Sequence, residues 1–106
     1  MGTYRFPKGA ALVFGGSGGL GSGIVKLLSQ CGTDVAFTYL NNKEAAQANI
    51  AKVEANGQKA TATSVDLLDL ANVEEFVSSA KKEFGRIHSV VFATGPFLNI
   101  LPLMDA

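Results

Sequence analysis

Nine residues at positions 15–23, GGSGGLGSG, constrain the fold of this chain more than any other segment. They follow a short apolar run, Ala10–Phe14, and they open a pattern typical of a helix. Glycines allow a sharp turn and a close approach of the backbone to a ligand, and the N–H groups at a helix start attract negative charge. A strand, a glycine turn and a helix in this order predict a site for the pyrophosphate of a dinucleotide.

Two glycine templates fit this run, G-x-G-x-x-G and G-x-x-x-G-x-G. The first is met by Gly16, Gly18 and Gly21, and the second by Gly15, Gly19 and Gly21. An ATP-binding P-loop is excluded, because it needs a lysine directly after its last glycine and Lys26 comes too late. The alternative, a flexible glycine loop, is disfavoured by the strand before the run and the helix after it.

The rest of the chain alternates between strand and helix patterns, which predicts an α/β fold. Strands are predicted at Ala10–Phe14, Asp34–Tyr39, 59–65 and 87–93, and helices at 19–31, 42–56 and Leu70–Phe84. Such alternation implies parallel pairing with right-handed crossovers. We therefore predict a Rossmann-like doubly wound parallel sheet of order 3-2-1-4, forming one NAD(P)-binding domain over residues 1–106. The ligand crevice should lie at the topological switch point between strands one and four.

Apolar residues at spacings of three and four predict which helix faces point inward. The predicted inward residues are Leu20, Ile24, Leu27, Leu28 and Cys31 in the first helix, Ala46, Ile50 and Val53 in the second, and Val73, Phe76, Val77, Ala80 and Phe84 in the third. Asn41 and Asp69 are predicted to cap the second and third helices, and Gly32, Gly57 and Gly85 to follow the helix ends.

Charge and composition narrow the classes of partner. The 106 residues include nine lysines and arginines against nine aspartates and glutamates, without a basic stripe, which argues against nucleic acid. Neither a membrane-spanning apolar stretch nor a signal-peptide core is present, so a soluble cytoplasmic protein is expected. One cysteine and one histidine are too few for a zinc site, so no metal is expected. Cys31 is predicted to be a small core residue, and His88 to have a structural role away from the crevice.

The end of the second predicted strand indicates which cofactor is preferred. Many NAD-binding folds place an acidic residue about 20 positions after the glycines, where it binds the ribose hydroxyls. Tyr39 holds that place here, so no carboxylate repels the additional phosphate of NADP. NADP is therefore the predicted cofactor, with NAD as the alternative. Lys43 could add positive charge or be an ordinary solvated lysine, and Thr38, Asn41 and Asn42 could hydrogen-bond the phosphate.

Two further turns follow predicted strands at the same edge of the sheet. Asp66, followed by Leu67, could accept a hydrogen bond from the adenine amino group, and its alternative role is that of a loop or capping residue. The turn Ala93-Thr94-Gly95 would let the backbone approach a ribose, although such small-residue turns also occur without a ligand.

Together these residues resemble the short-chain dehydrogenase/reductase family. The resemblance rests on Gly15-x-x-x-Gly19-x-Gly21, on Asp66 and on the small-residue turn after the fourth strand. Residues 35–46, VAFTYLNNKEAA, and residues 102–105, PLMD, look most like NADPH-dependent 3-oxoacyl-[acyl-carrier-protein] reductases. The resemblance spans essentially the whole chain and corresponds to the N-terminal, cofactor-binding half of a family member. It implies NADP, hydride transfer to or from a small carbonyl or alcohol substrate, and a homo-oligomer for a complete member.

The resemblance also assigns a role to each matching position. It places Gly15, Ser17, Gly18, Gly19, Leu20 and Gly21 at the pyrophosphate and its ribose, Tyr39, Leu40 and Asn41 at the adenosine ribose and its phosphate, Asp66 and Leu67 at adenine, and Ala93, Thr94 and Gly95 at the nicotinamide-side ribose. Two positions depart from the family pattern. The Asn-Asn-Ala-Gly turn is Phe92-Ala93-Thr94-Gly95 here, and Gly18 stands where many NADP-preferring members have a basic residue.

The family's catalytic Ser, Tyr-x-x-x-Lys pair and Asn have no counterpart in this sequence. Tyr4 and Tyr39 are its two tyrosines, and neither is followed by lysine four residues later. No catalytic residue is therefore predicted, and the 106 residues alone are expected to be inactive. Two alternatives remain open, a non-catalytic dinucleotide-binding or sensing module and an interaction domain with a vestigial nucleotide loop.

The strongly apolar residues 96–104 favour a chain that is truncated relative to a complete member. Without a fifth strand, the fourth strand would form a bare apolar edge, which a natural domain usually avoids.

Overall fold

The computed structural model describes residues 9–15, 19–93 and 99–102, which form a sheet covered by helices on both faces. The strands are β1 (Ala10–Phe14), β2 (Asp34–Tyr39), β3 (Ala60–Ser64), β4 (Ile87–Phe92) and β5 (Asn99–Pro102), and the helices are α1 (Gly19–Gln30), α2 (Lys43–Ala55) and α3 (Leu70–Phe84). Within these ranges no helix has the length and hydrophobicity needed to cross a membrane.

The sheet has the order β3-β2-β1-β4-β5. The first four strands are parallel, which confirms the predicted order 3-2-1-4 and the Rossmann-like topology. The prediction of a bare edge at the fourth strand is wrong, because β5 pairs antiparallel with β4 and places Ile100 beside Val91. β5 comes from the apolar residues 96–104, for which no strand was predicted.

The predicted bounds of the strands and helices agree with the structure to within one residue, but one of the two predicted N-caps is wrong. Asn42, rather than Asn41, caps α2, because its Oδ1 accepts a hydrogen bond from the backbone N–H of Ala45 at 3.0 Å. The prediction for α3 is confirmed, since Asp69 Oδ1 accepts from the N–H of Asn72 at 3.3 Å. A side-chain acceptor at either position satisfies a helix donor that has no partner within the helix.

The sheet separates two apolar clusters, because successive side chains of a strand point to opposite faces. On one face, α3 covers the cluster of Ala10, Leu12, Phe14, Ala36, Val65, Phe76, Ala80, Ile87 and Val90. On the other face, α1 and α2 cover the cluster of Ala11, Val13, Val25, Leu28, Val35, Phe37, Ala46, Val53 and Val91. The central strand β1 contributes to both clusters, so all five of its residues are buried.

The inward face of α1 is rotated from the predicted one. Val25 and Leu28 are buried, whereas Leu27 is 53% exposed and the prediction for it is wrong. Cys31 lies just beyond the end of α1 and is only half-buried, so it is not the core residue that the helical spacing predicted. The inward faces predicted for α2 and α3 are confirmed, although Ile50, Val73, Val77 and Phe84 are only partly buried.

His88 lies at an irregularity in the pairing of β1 with β4. Ala10 pairs with Ile87 and Ala11 pairs with Ser89, so His88 is an extra residue in β4 without a pairing position in β1. The bulge changes which face the next residues of β4 occupy, and it lets the buried His88 ring bond Thr33 Oγ1 through Nε2 at 2.8 Å. Its Nδ1 lies 3.0 Å from Ser89 Oγ. The structural role predicted for His88 is thus confirmed.

We predict that this buried histidine makes stability depend on pH. Burial, and secondly the charge of Arg86, lower the pKa of His88 below its ordinary value of 6.5. The unfolded chain therefore takes up a proton near pH 6.5 that the folded chain resists, and the free energy of unfolding falls as the pH drops from 6.5 towards the lowered pKa. Urea unfolding at a series of pH values measures this slope.

The matched control is His88→Gln, whose amide can hydrogen-bond but does not titrate. Its slope in the same pH window should be smaller than that of the wild type. An equal slope in both proteins would show that other groups cause the pH dependence.

Candidate functional site

The carboxyl ends of the four parallel strands bring the predicted site segments to one edge of the sheet. Gly15 follows β1, Tyr39 ends β2 and is followed by residues 40–41, residues 66–67 follow β3 and Ala93 follows β4. Backbone hydrogen bonds continue the pairing to this edge, from Val65 N–H to Tyr39 O and from Ala93 N–H to Phe14 O, both at 2.9 Å. Ligands of open α/β sheets bind outside this edge, at the point where the strand order reverses.

The glycine turn begins in a conformation that a side chain would strain. Gly15 has φ of 89°, in the left-handed region, and its N–H donates to Thr38 Oγ1 at 2.9 Å. Thr38 is 1% exposed, so its hydroxyl anchors the turn from within and cannot reach a phosphate. The prediction that Thr38 binds phosphate is therefore wrong. Ser17 and Gly18 lie outside the described residues.

The start of α1 has the electrostatic character of an anion site. Gly19, Leu20 and Gly21 form its first turn, and this turn contains no acidic residue. In α2, by contrast, Glu44 occupies the first turn. Unpaired N–H groups and the helix dipole make an N-terminus without carboxylates favourable for negative charge. The residues at the start of α1 therefore fit a pyrophosphate.

The segment after β2 offers a partly apolar, uncharged surface followed by a lysine. Tyr39 is half-buried against the core beneath α1 and α2, whereas Leu40 and Asn41 are exposed. The side chain of Asn42 is engaged in capping α2, so its predicted phosphate contact is not supported. Lys43 is exposed in the first turn of α2, four residues after the end of β2.

Asp66 organises the loop between β3 and α3. Its Oδ1 accepts from the N–H of Leu68 at 2.9 Å, and its own N–H donates to Asn72 Oδ1 at 2.9 Å. This is the loop role given as the alternative in the sequence. Because the carboxyl group remains exposed at the edge of the sheet, a contact with adenine is compatible with it and stays a prediction.

An apolar cleft adjoins this loop, and the sequence patterns did not predict it. The cleft has a volume of about 400 Å³ and is lined by Phe14, Leu67, Leu68, Leu70, Val73 and Phe92. The rings of Phe14 and Phe92 stack with centroids 5.0 Å apart, and Leu68 at the rim is 96% exposed. The apolar residues at the ends of β1 and β4 partly indicate an apolar surface in the sequence. Their contact with the leucines of the loop between β3 and α3, however, depends on strand register.

The turn after β4 is described only at its start. Ala93 is held beside the end of β1 by its bond to Phe14 O, in the position expected for a residue close to a ligand. Thr94 and Gly95 lie outside the described residues.

Comparisons with known proteins agree with this geometry. A family model described as short chain dehydrogenase matches residues 9–101. The L-rhamnose 1-dehydrogenase (NAD(P)(+)) of Sphingomonas sp. (strain SKA58) is 36% identical over 79% of this chain and 33% of its own length. The 3-oxoacyl-[acyl-carrier-protein] reductase of Staphylococcus aureus is 30% identical over 81% of this chain and 35% of its own length.

A solved structure of a dehydrogenase is also similar to this chain. A putative dehydrogenase from Burkholderia cenocepacia with bound NADP matches with a TM-score of 0.79 and 30% identity, over 86% of this chain and 36% of that one. The chain thus spans about a third of the length of the curated relatives it matches.

We predict that the hydroxyl of Thr38 holds the glycine turn. Thr38→Val keeps the shape but removes the acceptor of the Gly15 N–H, which should lower the free energy of unfolding by about 1–3 kcal/mol. The more specific readout is amide hydrogen exchange at Gly15, measured by NMR, which should become faster. Thr38→Ser keeps the hydroxyl and should leave that exchange near the wild-type rate. Unchanged Gly15 exchange in Thr38→Val would refute the anchor.

Proposed function

Because this chain belongs to the short-chain dehydrogenase family of oxidoreductases, we propose that it binds NADP(H) and supplies the cofactor-binding half of a carbonyl or alcohol oxidoreductase. The proposal rests chiefly on one observation, which is the start of α1 at the carboxyl edge of the sheet. This first helical turn has no acidic residue, and it comes after a glycine turn whose Gly15 N–H is bonded to the buried Thr38 hydroxyl. The NADP bound to the Burkholderia cenocepacia relative supports the choice of cofactor.

Each segment at the edge then has a distinct task in binding. The glycine turn and the first turn of α1 hold the pyrophosphate, through Gly15, Ser17, Gly18, Gly19, Leu20 and Gly21. Tyr39, Leu40 and Asn41 lie at the adenosine ribose and its phosphate, Asp66 and Leu67 contact adenine, and Ala93, Thr94 and Gly95 approach the nicotinamide-side ribose. When bound, the nicotinamide supplies or accepts the hydride.

The preference for NADP over NAD follows from charge at the end of β2. Tyr39, Leu40 and Asn41 place no carboxylate where the additional phosphate of NADP would lie, and Lys43 is exposed nearby. Phosphate groups are favoured near cations and disfavoured near carboxylates. We propose a substrate of the 3-oxoacyl type, in keeping with the Staphylococcus aureus relative.

The sequence does not contain the tyrosine and lysine pair that a complete family member uses for the proton transfer. In a complete family member a tyrosine would donate or accept the proton while a lysine lowers its pKa, and neither tyrosine of this chain has the required lysine.

We predict that a carboxylate at position 39 weakens the binding of NADPH. Fluorescence titration of the wild-type chain should give tighter binding of NADPH than of NADH. Tyr39→Asp should weaken NADPH binding by about tenfold, equivalent to about 1.4 kcal/mol, because the carboxylate repels the additional phosphate. Tyr39→Asn is the matched control, since it loses the same ring without adding charge.

The outcomes separate the two parts of the proposal. An equal loss of NADPH affinity in Tyr39→Asn would assign the effect to the lost ring. A wild type that prefers NADH would overturn the cofactor preference, and a wild type that binds neither nucleotide would overturn the proposed function.

A second prediction concerns turnover. The 106-residue chain should bind NADPH yet fail to oxidise it in the presence of a 3-oxoacyl thioester, because it lacks the proton donor. Absorbance of NADPH at its nicotinamide band measures this directly. Oxidation above the protein-free rate would show that a general acid exists among these residues.

A further inference from the structure

Two hydrogen bonds of the same kind join α1 to α2. Asn49 Nδ2 donates to Ser22 Oγ at 2.9 Å, and Asn56 Nδ2 donates to Ser29 Oγ at 2.8 Å. The two donors are seven residues apart, and so are the two acceptors. Seven residues correspond to about two helical turns, or about 10 Å, so the bonds lie along one seam between parallel helices.

The two bonds act at opposite ends of α1. Ser22 lies within the glycine run, at the end of the first turn of the helix, whereas Ser29 is the next-to-last helical residue. Asn56 is the exposed C-cap of α2, but Asn49 is 3% exposed in the middle of that helix. Only the Asn49 bond therefore reaches the end of α1 that faces the candidate pyrophosphate site.

A buried asparagine on this face is costly unless its amide is bonded. Its neighbours on the inward face of α2, Ala46 and Val53, belong to the apolar cluster beneath α1 and α2. Burying a polar amide costs free energy that its hydrogen bonds must offset, whereas an apolar residue would pack here without a partner. Unlike an apolar residue, the Asn49 amide makes a directional hydrogen bond, which fixes the position of Ser22 relative to α2.

We propose that Asn49 is a positioning residue for the dinucleotide, one that sets the place of the first turn of α1 through Ser22. The inference rests on the proposed function. The backbone N–H groups of that turn bind pyrophosphate only at hydrogen-bond distance, so a small displacement of the turn weakens binding. Because α2 packs on α1 and is joined to the sheet through β2 and β3, it provides a fixed frame for this contact.

The seam itself supplies the matched control. Asn49→Ala and Asn56→Ala each remove one amide-to-serine bond between the same helices, and NADPH affinity is measured by fluorescence titration. Asn49→Ala should weaken NADPH binding by about five- to tenfold, and Asn56→Ala should stay within about twofold of wild type. Equal losses in both variants would overturn the proposal, since they would reflect general loosening of the two helices.

A double variant tests whether Asn49 acts through Ser22. If it does, the double variant Ser22→Ala/Asn49→Ala should have the same NADPH affinity as whichever single variant binds NADPH less tightly. Additive losses would overturn that route. Urea unfolding of every variant confirms that each is folded at the titration temperature.

Amide hydrogen exchange in the absence of nucleotide separates this inference from the proposed function. Asn49→Ala should speed exchange at residues 21–24, whereas Asn56→Ala should do so near the other end of α1. If the wild type bound neither NADPH nor NADH, the proposed function would fail. The exchange comparison would still test whether Asn49 holds the first turn of α1 in place. Unchanged exchange at residues 21–24 in Asn49→Ala would overturn it.

Discussion

Parallel pairing of β1 with β2 and β4, and of β2 with β3, brings the described segments of the candidate site together. Each of these strands delivers its carboxyl end to the same edge, so the turns that follow them are neighbours in space although they are far apart in sequence. The burial of all five residues of β1 makes this pairing stable, since helices cover both faces of the sheet. The glycine turn is fixed because it leaves from this strand.

Polar groups within the apolar layers are few, and each has a positional consequence. The Thr38 hydroxyl holds the N–H of Gly15, the Asn49 amide holds Ser22, and the His88 ring holds Thr33. Among the described residues, every buried side-chain nitrogen or oxygen has a hydrogen-bond partner. An unpaired group in such surroundings costs about 1–3 kcal/mol, so these bonds select one relative arrangement of strands and helices. Two of them lie directly behind the proposed pyrophosphate site.

Local patterns were sufficient to predict the elements and their order. Apolar runs and apolar spacings of three and four residues predicted β1, β2 and α3 with their observed bounds, and the alternation of strands and helices predicted the parallel order. Patterns failed where a neighbour in space decided the outcome. Leu27 has helical spacing yet is exposed, because the contact of α1 with the sheet centres on Val25 and Leu28. β5 was missed because a four-residue apolar segment acquires its structure only by pairing with β4.

The sequence by itself determined the fold class, the order of the four parallel strands and the position of the glycine turn at the sheet edge. These features depend on residue types at short spacings, which act locally. Only the tertiary structure decided that Thr38 faces inward to Gly15, that a bulge at His88 changes the faces of β4, and that an amide in α2 reaches the first turn of α1. Such contacts depend on register and helix rotation, which are set by the packing of the whole core and are not encoded in any single segment.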